Sequence, residues 1–177
     1  MTTEAIAKSM VRARATFARR PQAATHPDDP ATARWEHGTR VVTRHPEGMR
    51  FATDMPTTLG GSGDQVTPGW LLRAALASCL ATRIAMSAAE EGVALASLEV
   101  FATSTSDARG FLGMAEHAGQ RVRAAPRCIQ LDVRIGASGV PPARLRALVE
   151  ESSACSPVSD ALGAGVSLAL NVEVAPS

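Results

Sequence analysis

One long helix is the feature that most constrains this chain. Residues 67–91 read TPGWLLRAALASCLATRIAMSAAEE, in which Thr67 can cap the first turn and Pro68 fits the first helical position. Gly92 follows as a natural end, because glycine readily terminates helices. One face of the helix is predicted to carry Leu72, Leu76, Cys79, Arg83 and Met86. Alanines fill much of the remainder, so we expect a thin, buried central helix that another backbone can approach closely.

A membrane span is the rival interpretation, because the segment has about the 20 residues that a span requires. Arg73 and Arg83 lie inside it and alanine is only weakly apolar, which favours a buried helix and no membrane partner. The chain opens with no secretory apolar core. Its three cysteines are too widely spaced for a disulfide framework or a zinc site. We therefore expect a cytoplasmic protein with reduced thiols, no metal and no cofactor.

The N-terminal part is predicted to stand apart from the main domain. Residues 1–20 form a basic amphipathic helix whose apolar stripe is Ile6, Met10, Ala13 and Phe17. We favour docking of this stripe on the main domain or on a partner subunit over a membrane-surface helix or a transit peptide. Residues 21–31 form a proline-containing linker, and residues 32–177 form the main domain. The net charge of +1 argues against a general nucleic-acid binder, whose affinity would rest on neutralising phosphates.

The main domain is predicted to run as a strand meander, a long helix, two strands, a helix and a final strand, which is the order of an α+β fold. Three short strands come first, starting at Trp35, spanning Arg40–Arg44 and spanning Met49–Thr53, as an antiparallel meander. The glycine-rich segment 59–69 that follows fits neither a phosphate loop nor a dinucleotide fingerprint. The remaining predictions run in order: the long helix, a strand around 98–103, an irregular stretch over 104–127 that extends this strand and then forms a loop over a site, a strand over 129–135, a helix over 141–153, a short helix over 156–163 and a final strand over 166–174.

Four segments together resemble the OsmC/Ohr family of osmotically inducible and organic hydroperoxide resistance proteins. They are DMPTTLGG, TPGWLLRAALASC, DARGFLG and CSPVSDAL, in the family's order over about Thr32 to Val174. The most specific element is a proline that stands eleven residues before a cysteine in an alanine-rich helix. The resemblance implies an intertwined homodimer, with long central helices wrapped by antiparallel sheets. It also implies reduction of organic hydroperoxides by a peroxidatic cysteine, which a resolving cysteine and a dithiol reductant then restore.

Carried onto this sequence, the resemblance makes Cys79 the peroxidatic cysteine and Arg40 the arginine that orients its thiolate. Two positions depart from the family pattern. The glutamate after the helix-opening proline is replaced by Gly69, and the second cysteine, usually placed directly before Pro-Val, is replaced by Ser156. Cys155 stands one residue earlier, so either the loop shifts to let Cys155 resolve Cys79 or another thiol does so.

The chemistry itself requires a cation near Cys79. Peroxide is attacked by thiolate, and a free cysteine is mostly protonated near neutral pH. Cys79 lies about 18 Å beyond the helix start, where the helix dipole no longer acts. Arg83, one turn further along the same face, is the partner available from sequence alone. Cys155 precedes a predicted helix start and is a plausible second thiol, whereas Cys128 lies on the polar face of its strand and receives no role.

Two functions stay open. The first is thiol-dependent reduction of organic hydroperoxides, favoured by Cys79, Arg40 and Cys155 together. The second is a non-peroxidatic dimer that binds a small apolar ligand or a protein partner, favoured by Gly69 and Ser156. The aliphatic composition around Cys79 favours a lipid-like hydroperoxide over hydrogen peroxide.

Overall fold

The computed structural model describes residues 2–117 and 119–164. Its longest element is α2, Pro68–Glu90, and the predicted signals form both of its ends. The Thr67 hydroxyl accepts the Trp70 N–H at 3.2 Å, which caps the first turn, and Pro68 occupies the first turn. Gly92 follows with a φ of 69°, a conformation that glycine adopts without strain. The predicted central helix is confirmed.

The buried stripe of α2 is rotated from the predicted one. Leu76 is buried as expected, but Leu72 is exposed and Cys79 is only half-buried. Burial follows a neighbouring row of residues, namely Leu76, Leu80, Ile84, Ser87 and Ala88. The buried row differs from the predicted one because α2 packs against β4 on one side and against α4 and α5 on others. These neighbours determine which row of side chains is covered.

A two-stranded antiparallel sheet packs against α2. Strand β4, Leu95–Thr105, pairs with β5, Cys128–Ala137, in a register that places Leu98 opposite Ile135. Strand β4 continues to Thr105, in line with the extension predicted past 103, while its start at Leu95 and both ends of β5 lie beyond the predicted bounds. A short helix, α3, Ala108–Phe111, interrupts the connecting loop. Helices α4, Pro142–Ala154, and α5, Pro157–Ala164, follow, and Leu148 of α4 is fully buried.

The three predicted N-terminal strands form a separate antiparallel sheet in the order β1-β2-β3. These strands are β1, Thr32–His37, β2, Arg40–Arg44, and β3, Arg50–Thr53. Strand β1 begins three residues before Trp35. The predicted α+β class is confirmed, whereas the intertwined dimer stays a prediction. The predicted final strand over 166–174 lies outside the described residues.

Helix α1, Thr3–Arg19, lies against α2, as the docking prediction expected. Ile6, Met10 and Ala13 are half-buried, while Phe17 is exposed. An ion pair of 2.9 Å between Arg14 and Glu90 joins the two helices. A short 3-10 helix, Pro21–Ala24, begins the linker. The division of the chain into a helix, a linker and a main domain stays a prediction.

By length and composition, α2 is the one helix in the described part of the chain that could cross a membrane. This is weak evidence, because the central helix of a folded core passes the same test. Here the apolar stripe of α2 is covered by β4, α4 and α5.

Candidate functional site

A hydrogen-bond chain of two serines ends on the sulfur of Cys79. The Ser156 hydroxyl donates to Cys79 Sγ at 3.3 Å, and the Ser159 hydroxyl donates to Ser156 Oγ at 3.0 Å. Ser156 is fully buried at the junction of α4 and α5, whereas Cys79 is half-buried on α2. The packing of α5 on α2 therefore brings a hydroxyl to the thiol across 77 positions of the sequence.

A hydrogen-bonded turn fixes the residue that reaches Cys79. The Cys155 N–H donates to the Ser152 carbonyl at 3.1 Å and the Ser156 N–H donates to the Ser153 carbonyl at 3.2 Å. The Asp160 N–H then donates to the Ser156 carbonyl at 3.0 Å, which begins α5. Successive side chains of such a turn point in different directions, so that Ser156 faces α2 while Cys155 does not share its direction.

Cys155 is exposed and borders a different cavity, of about 430 Å³, between α1, α2 and α4. Charged side chains dominate its lining: Arg14, Arg83, Glu90, Glu91 and Glu151. Arg83, proposed from sequence as the cation for Cys79, lies in this cavity and forms a 3.8 Å ion pair with Glu90. The structure thus associates Arg83 with the surroundings of Cys155.

Arg40 belongs to a polar network on the three-stranded sheet. Its guanidinium donates to Asp54 Oδ2 at 3.0 and 3.2 Å and to the Ser62 hydroxyl at 2.6 Å, and it also pairs with Asp64. Asp54 is 3% exposed and accepts further hydrogen bonds from the Thr39 hydroxyl and from the N–H groups of the following loop. The network joins β2 to the LGG loop that the family resemblance identified.

These contacts keep both carboxyl groups of the network ionised. Hydrogen bonds from Ser62 and Thr39, followed by those from the Met55 N–H and from Arg40, hold the pKa of Asp54 well below its usual range. The Ser62 hydroxyl and the nearby Arg40 charge lower the pKa of Asp64. Hydrogen bonding to Asp54 raises the pKa of Arg40 in return. The positive charge of Arg40 is therefore matched by two carboxylates in its own chain.

Gly61 lets the LGG loop close on this network. A Cβ at Gly61 would lie 1.8 Å from the Met55 carbonyl oxygen, so no larger residue fits there. Gly69, where the family carries a glutamate, differs from Gly61 because its surroundings leave space for a side chain. A Cβ there would be in ordinary contact with the Arg73 guanidinium and the Thr67 hydroxyl, both at 3.9 Å. The first turn of α2 therefore has room for the missing carboxylate but does not contain it.

A second cavity, of about 450 Å³, lies beside the serine chain. Ser159 is part of its wall, together with mainly apolar residues: Leu76, Ala125, Pro126, Ile129, Leu131 and Leu162. Leu76 is one turn of α2 before Cys79. Cys128 borders the cavity at the start of β5, a placement that the polar face predicted for it did not reveal.

The loop that carries the DARGFLG segment is folded so that two arginines, Arg123 and Arg127, border this cavity. A Cβ at Gly110 would lie 2.1 Å from the Arg123 carbonyl oxygen, so only glycine permits this approach. Arg127 pairs with Asp107 at 2.6 Å, as does Arg109. Arg109, with a smaller contribution from Arg127, holds the pKa of Asp107 well below its ordinary range. The cavity thus combines aliphatic walls with cationic side chains.

The structure brings together only some of the predicted site residues. Cys79 meets Ser156, the position that the family gives to the second cysteine. Arg40 contacts Asp54 and Asp64, and Cys155 shares a cavity with Arg83. Sequence reasoning missed Ser159, although its spacing of three residues from Ser156 in a predicted helix places the two on neighbouring turns.

The pairing of Arg40 with Asp54 and Asp64 was also not predicted from the sequence. The positions of these two residues on either side of the LGG loop are the signal that could have indicated it.

Comparison with known proteins gives a consistent assignment of the fold. Curated protein sequences yield no significant match. An OsmC-like protein from Mycoplasma pneumoniae has a similar structure, with a TM-score of 0.65 and 15% identity, covering 80% of this chain and 91% of that chain. An organic hydroperoxide resistance protein from Legionella pneumophila gives a TM-score of 0.54 at 20% identity, covering 78% and 91% respectively. One from Elizabethkingia anophelis gives 0.54 at 21% identity, covering 80% and 91%.

At these identities the structural likeness shows the fold. The family itself is shown by sequence, because the model described as OsmC-like protein matches residues 61–171, more than half of the chain. That range includes α2 with Cys79, the DARGFLG loop and the turn with Ser156. The chain belongs to the OsmC-like protein family.

Proposed function

We propose that this protein reduces organic hydroperoxides through Cys79, as a cytoplasmic homodimer that uses a dithiol reductant. The observation that carries the proposal is the placement of Cys79 on the central helix with a buried hydroxyl donor, Ser156, on its sulfur. Family membership and neighbours named organic hydroperoxide resistance proteins support it.

The proposed reaction begins when the Cys79 thiolate attacks the terminal oxygen of the hydroperoxide. An S–O bond forms, the O–O bond breaks, and the departing alkoxide takes a proton to give the alcohol. Cys79 is left as a sulfenic acid. The cavity of about 450 Å³ beside the serine chain is walled largely by aliphatic side chains, which favours an organic chain over hydrogen peroxide.

The cation in this proposal is Arg40, supplied by a second copy of the chain. Arginine suits the task because it stays charged and offers several donors to sulfur and peroxide oxygen. Asp54 and Asp64 fix its guanidinium and take the place of the glutamate missing at Gly69. The exposed apolar face of the sheet that carries Arg40 supports an exchange between subunits.

A direct test compares Cys79→Ser with wild type. Wild-type protein with a dithiol should consume cumene or tert-butyl hydroperoxide faster than hydrogen peroxide, and Cys79→Ser should reduce consumption to background. Ser78→Ala, the neighbouring residue on the exposed side of α2, is the matched control and should retain wild-type rates. Full activity in Cys79→Ser would end the peroxidase proposal.

A second function, binding of a small apolar ligand without turnover, is favoured by two observations. Arg40 is already neutralised by two carboxylates, and Gly69 contributes none to the helix start. In that case a fluorescent fatty-acid analogue should bind wild type and Cys79→Ser equally, and neither protein should consume peroxide.

A further inference from the structure

We propose that Ser156 replaces a second thiol, so that Cys79 works as a single redox cysteine which a thiol from solution reduces directly. The inference rests on the proposed peroxidase function and adds how its cycle closes. Its basis is the pair of hydrogen bonds by which Ser159 and Ser156 reach the Cys79 sulfur, at 3.0 and 3.3 Å.

The turn geometry separates Cys155 from this role. A disulfide requires Cα atoms about 4.4 to 6.8 Å apart and Cβ atoms that face each other. Ser156 points at Cys79, whereas Cys155 lies on the charged cavity beside α1. Re-aiming Cys155 would break the backbone hydrogen bonds that its own N–H and that of Ser156 make to the end of α4. It would also displace the buried Ser156 from its contact.

The chemical steps then need one external co-reactant, a thiol of low mass. Sulfenic acid on Cys79 reacts with the thiol to form a mixed disulfide and water. A second thiol, or the second group of a dithiol, attacks that disulfide. This step releases the oxidised thiol as a disulfide and returns Cys79 to its reduced form. Each peroxide consumed therefore oxidises two external thiol groups and leaves no bond within the chain.

Ser156 has a chemical part in these steps because its hydroxyl donates to the sulfur. A hydrogen bond to a charged acceptor is stronger than one to a neutral acceptor. The donor therefore stabilises the attacking thiolate more than the thiol. The Ser159 hydroxyl orients the Ser156 hydroxyl for this donation by occupying its acceptor side. Ser156 is thus a catalytic residue that touches the reacting atom.

The decisive experiment follows the products of one equivalent of cumene hydroperoxide by mass spectrometry under non-reducing conditions. Wild type should give sulfenic acid at Cys79, trapped by a cyclic diketone, and a Cys79 mixed disulfide when a monothiol is added. Ser156→Cys should instead link Cys79 to the new thiol at position 156. Cys155→Ser should give the wild-type products and the wild-type rate.

Each result has a defined meaning. A Cys79–Cys155 bond in wild type, or loss of turnover in Cys155→Ser, would overturn the inference and leave the peroxidase proposal intact. Cys79 that stays unmodified by peroxide in wild type and in Ser156→Cys alike would overturn the peroxidase proposal, and the inference with it.

A kinetic measurement tests the hydroxyl itself. Ser156→Ala should slow oxidation of Cys79 by roughly tenfold to a hundredfold, the effect of one hydrogen bond to a charged group. Ser156→Thr, which keeps a hydroxyl, should recover part of the rate, and the pH profile of the reaction should shift only in the alanine variant. Ser138→Ala, in the exposed turn after β5, is the control. A wild-type rate and pH profile in Ser156→Ala would contradict the assigned role.

Discussion

The two layers of this chain are stabilised in opposite ways. The helical layer of α2, α4, β4 and β5 buries aliphatic side chains, among them Leu80, Ile84 and Leu148. The sheet of β1, β2 and β3 buries little, and every residue of β1 is exposed. What fixes the sheet to its own loop is the polar network of Arg40 and Asp54.

Among the described residues, one face of this sheet is exposed and carries two aromatic side chains. Strand register places Trp35 opposite Val41 and Phe51 opposite Thr43, so that both aromatic residues share one face. Trp35 is 67% and Phe51 is 57% exposed. Exposed apolar patches of this kind mark association surfaces. Among the described residues, the helical layer therefore has its core within one chain, whereas the apolar face of the sheet stays exposed and is the surface that we propose a second subunit covers.

The largest expected effect comes from placing a charged side chain on the sheet face that Trp35 and Phe51 share. Wild-type protein at micromolar concentration should scatter light as about twice the chain mass of 18.4 kDa, and Phe51→Lys should scatter as a single chain. Peroxidase activity should be lost with the dimer, because in the proposed function Arg40 of one copy acts on Cys79 of the other. Thr32→Lys adds the same charge to the opposite face of the sheet and should stay dimeric. A wild-type protein that is monomeric would remove the shared site altogether.

An intermediate effect distinguishes packing within the chain from packing between chains. Leu148→Ala should lower the free energy of unfolding by about 2–5 kcal/mol at every protein concentration, because it leaves a cavity between α4 and α2. Phe51→Ala should lower it by an amount that depends on protein concentration, as loss of association requires. Urea titrations at two protein concentrations measure both. Equal and concentration-independent losses would show that Phe51 is packed within its own chain.

The smallest effect is confined to acid and concerns the polar network. The pKa of Asp54 in the folded chain lies below its ordinary value of 3.8, so the network stabilises the fold fully above that pH. This contribution to the free energy of unfolding is lost as the pH falls from 3.8 toward the lowered pKa of Asp54. The chain has two tryptophans, Trp35 in β1 and Trp70 in α2, which report on the two layers separately.

In acid, the emission of Trp35, measured in Trp70→Phe, should therefore change at higher pH than that of Trp70, measured in Trp35→Phe. Asp54→Asn should remove most of this difference, while Glu47→Gln, in the exposed β2–β3 turn, should not. Coincident transitions of the two tryptophans would mean that the layers unfold as one unit.

Much of the fold could be predicted because its signals are local. Thr67 and Pro68 start α2, and alternation of apolar residues identifies β4 and β5 over adjacent positions. The rotation of the α2 stripe could not be predicted, because Leu72 and Leu80 are equally apolar and only the packed neighbours decide which is covered.

For the site, the family resemblance identified Cys79, Arg40 and the two departures at Gly69 and Ser156, and the roles of these residues stay predictions. It left the resolving thiol open, because side-chain direction at Cys155 depends on the backbone hydrogen bonds of a turn.

What the sequence determined by itself, then, is the series of elements and the thiol on the central helix, since caps, prolines and periodicity act within a few residues. Tertiary structure alone decided that Ser156 donates to Cys79 across 77 positions, and that Arg40 is held by Asp54 and Asp64. It also decided that Cys155 and Arg83 share a separate charged cavity. The physical reason is that hydrogen bonds require particular atoms within about 3.5 Å and suitably oriented, a condition that is set only when distant elements pack together.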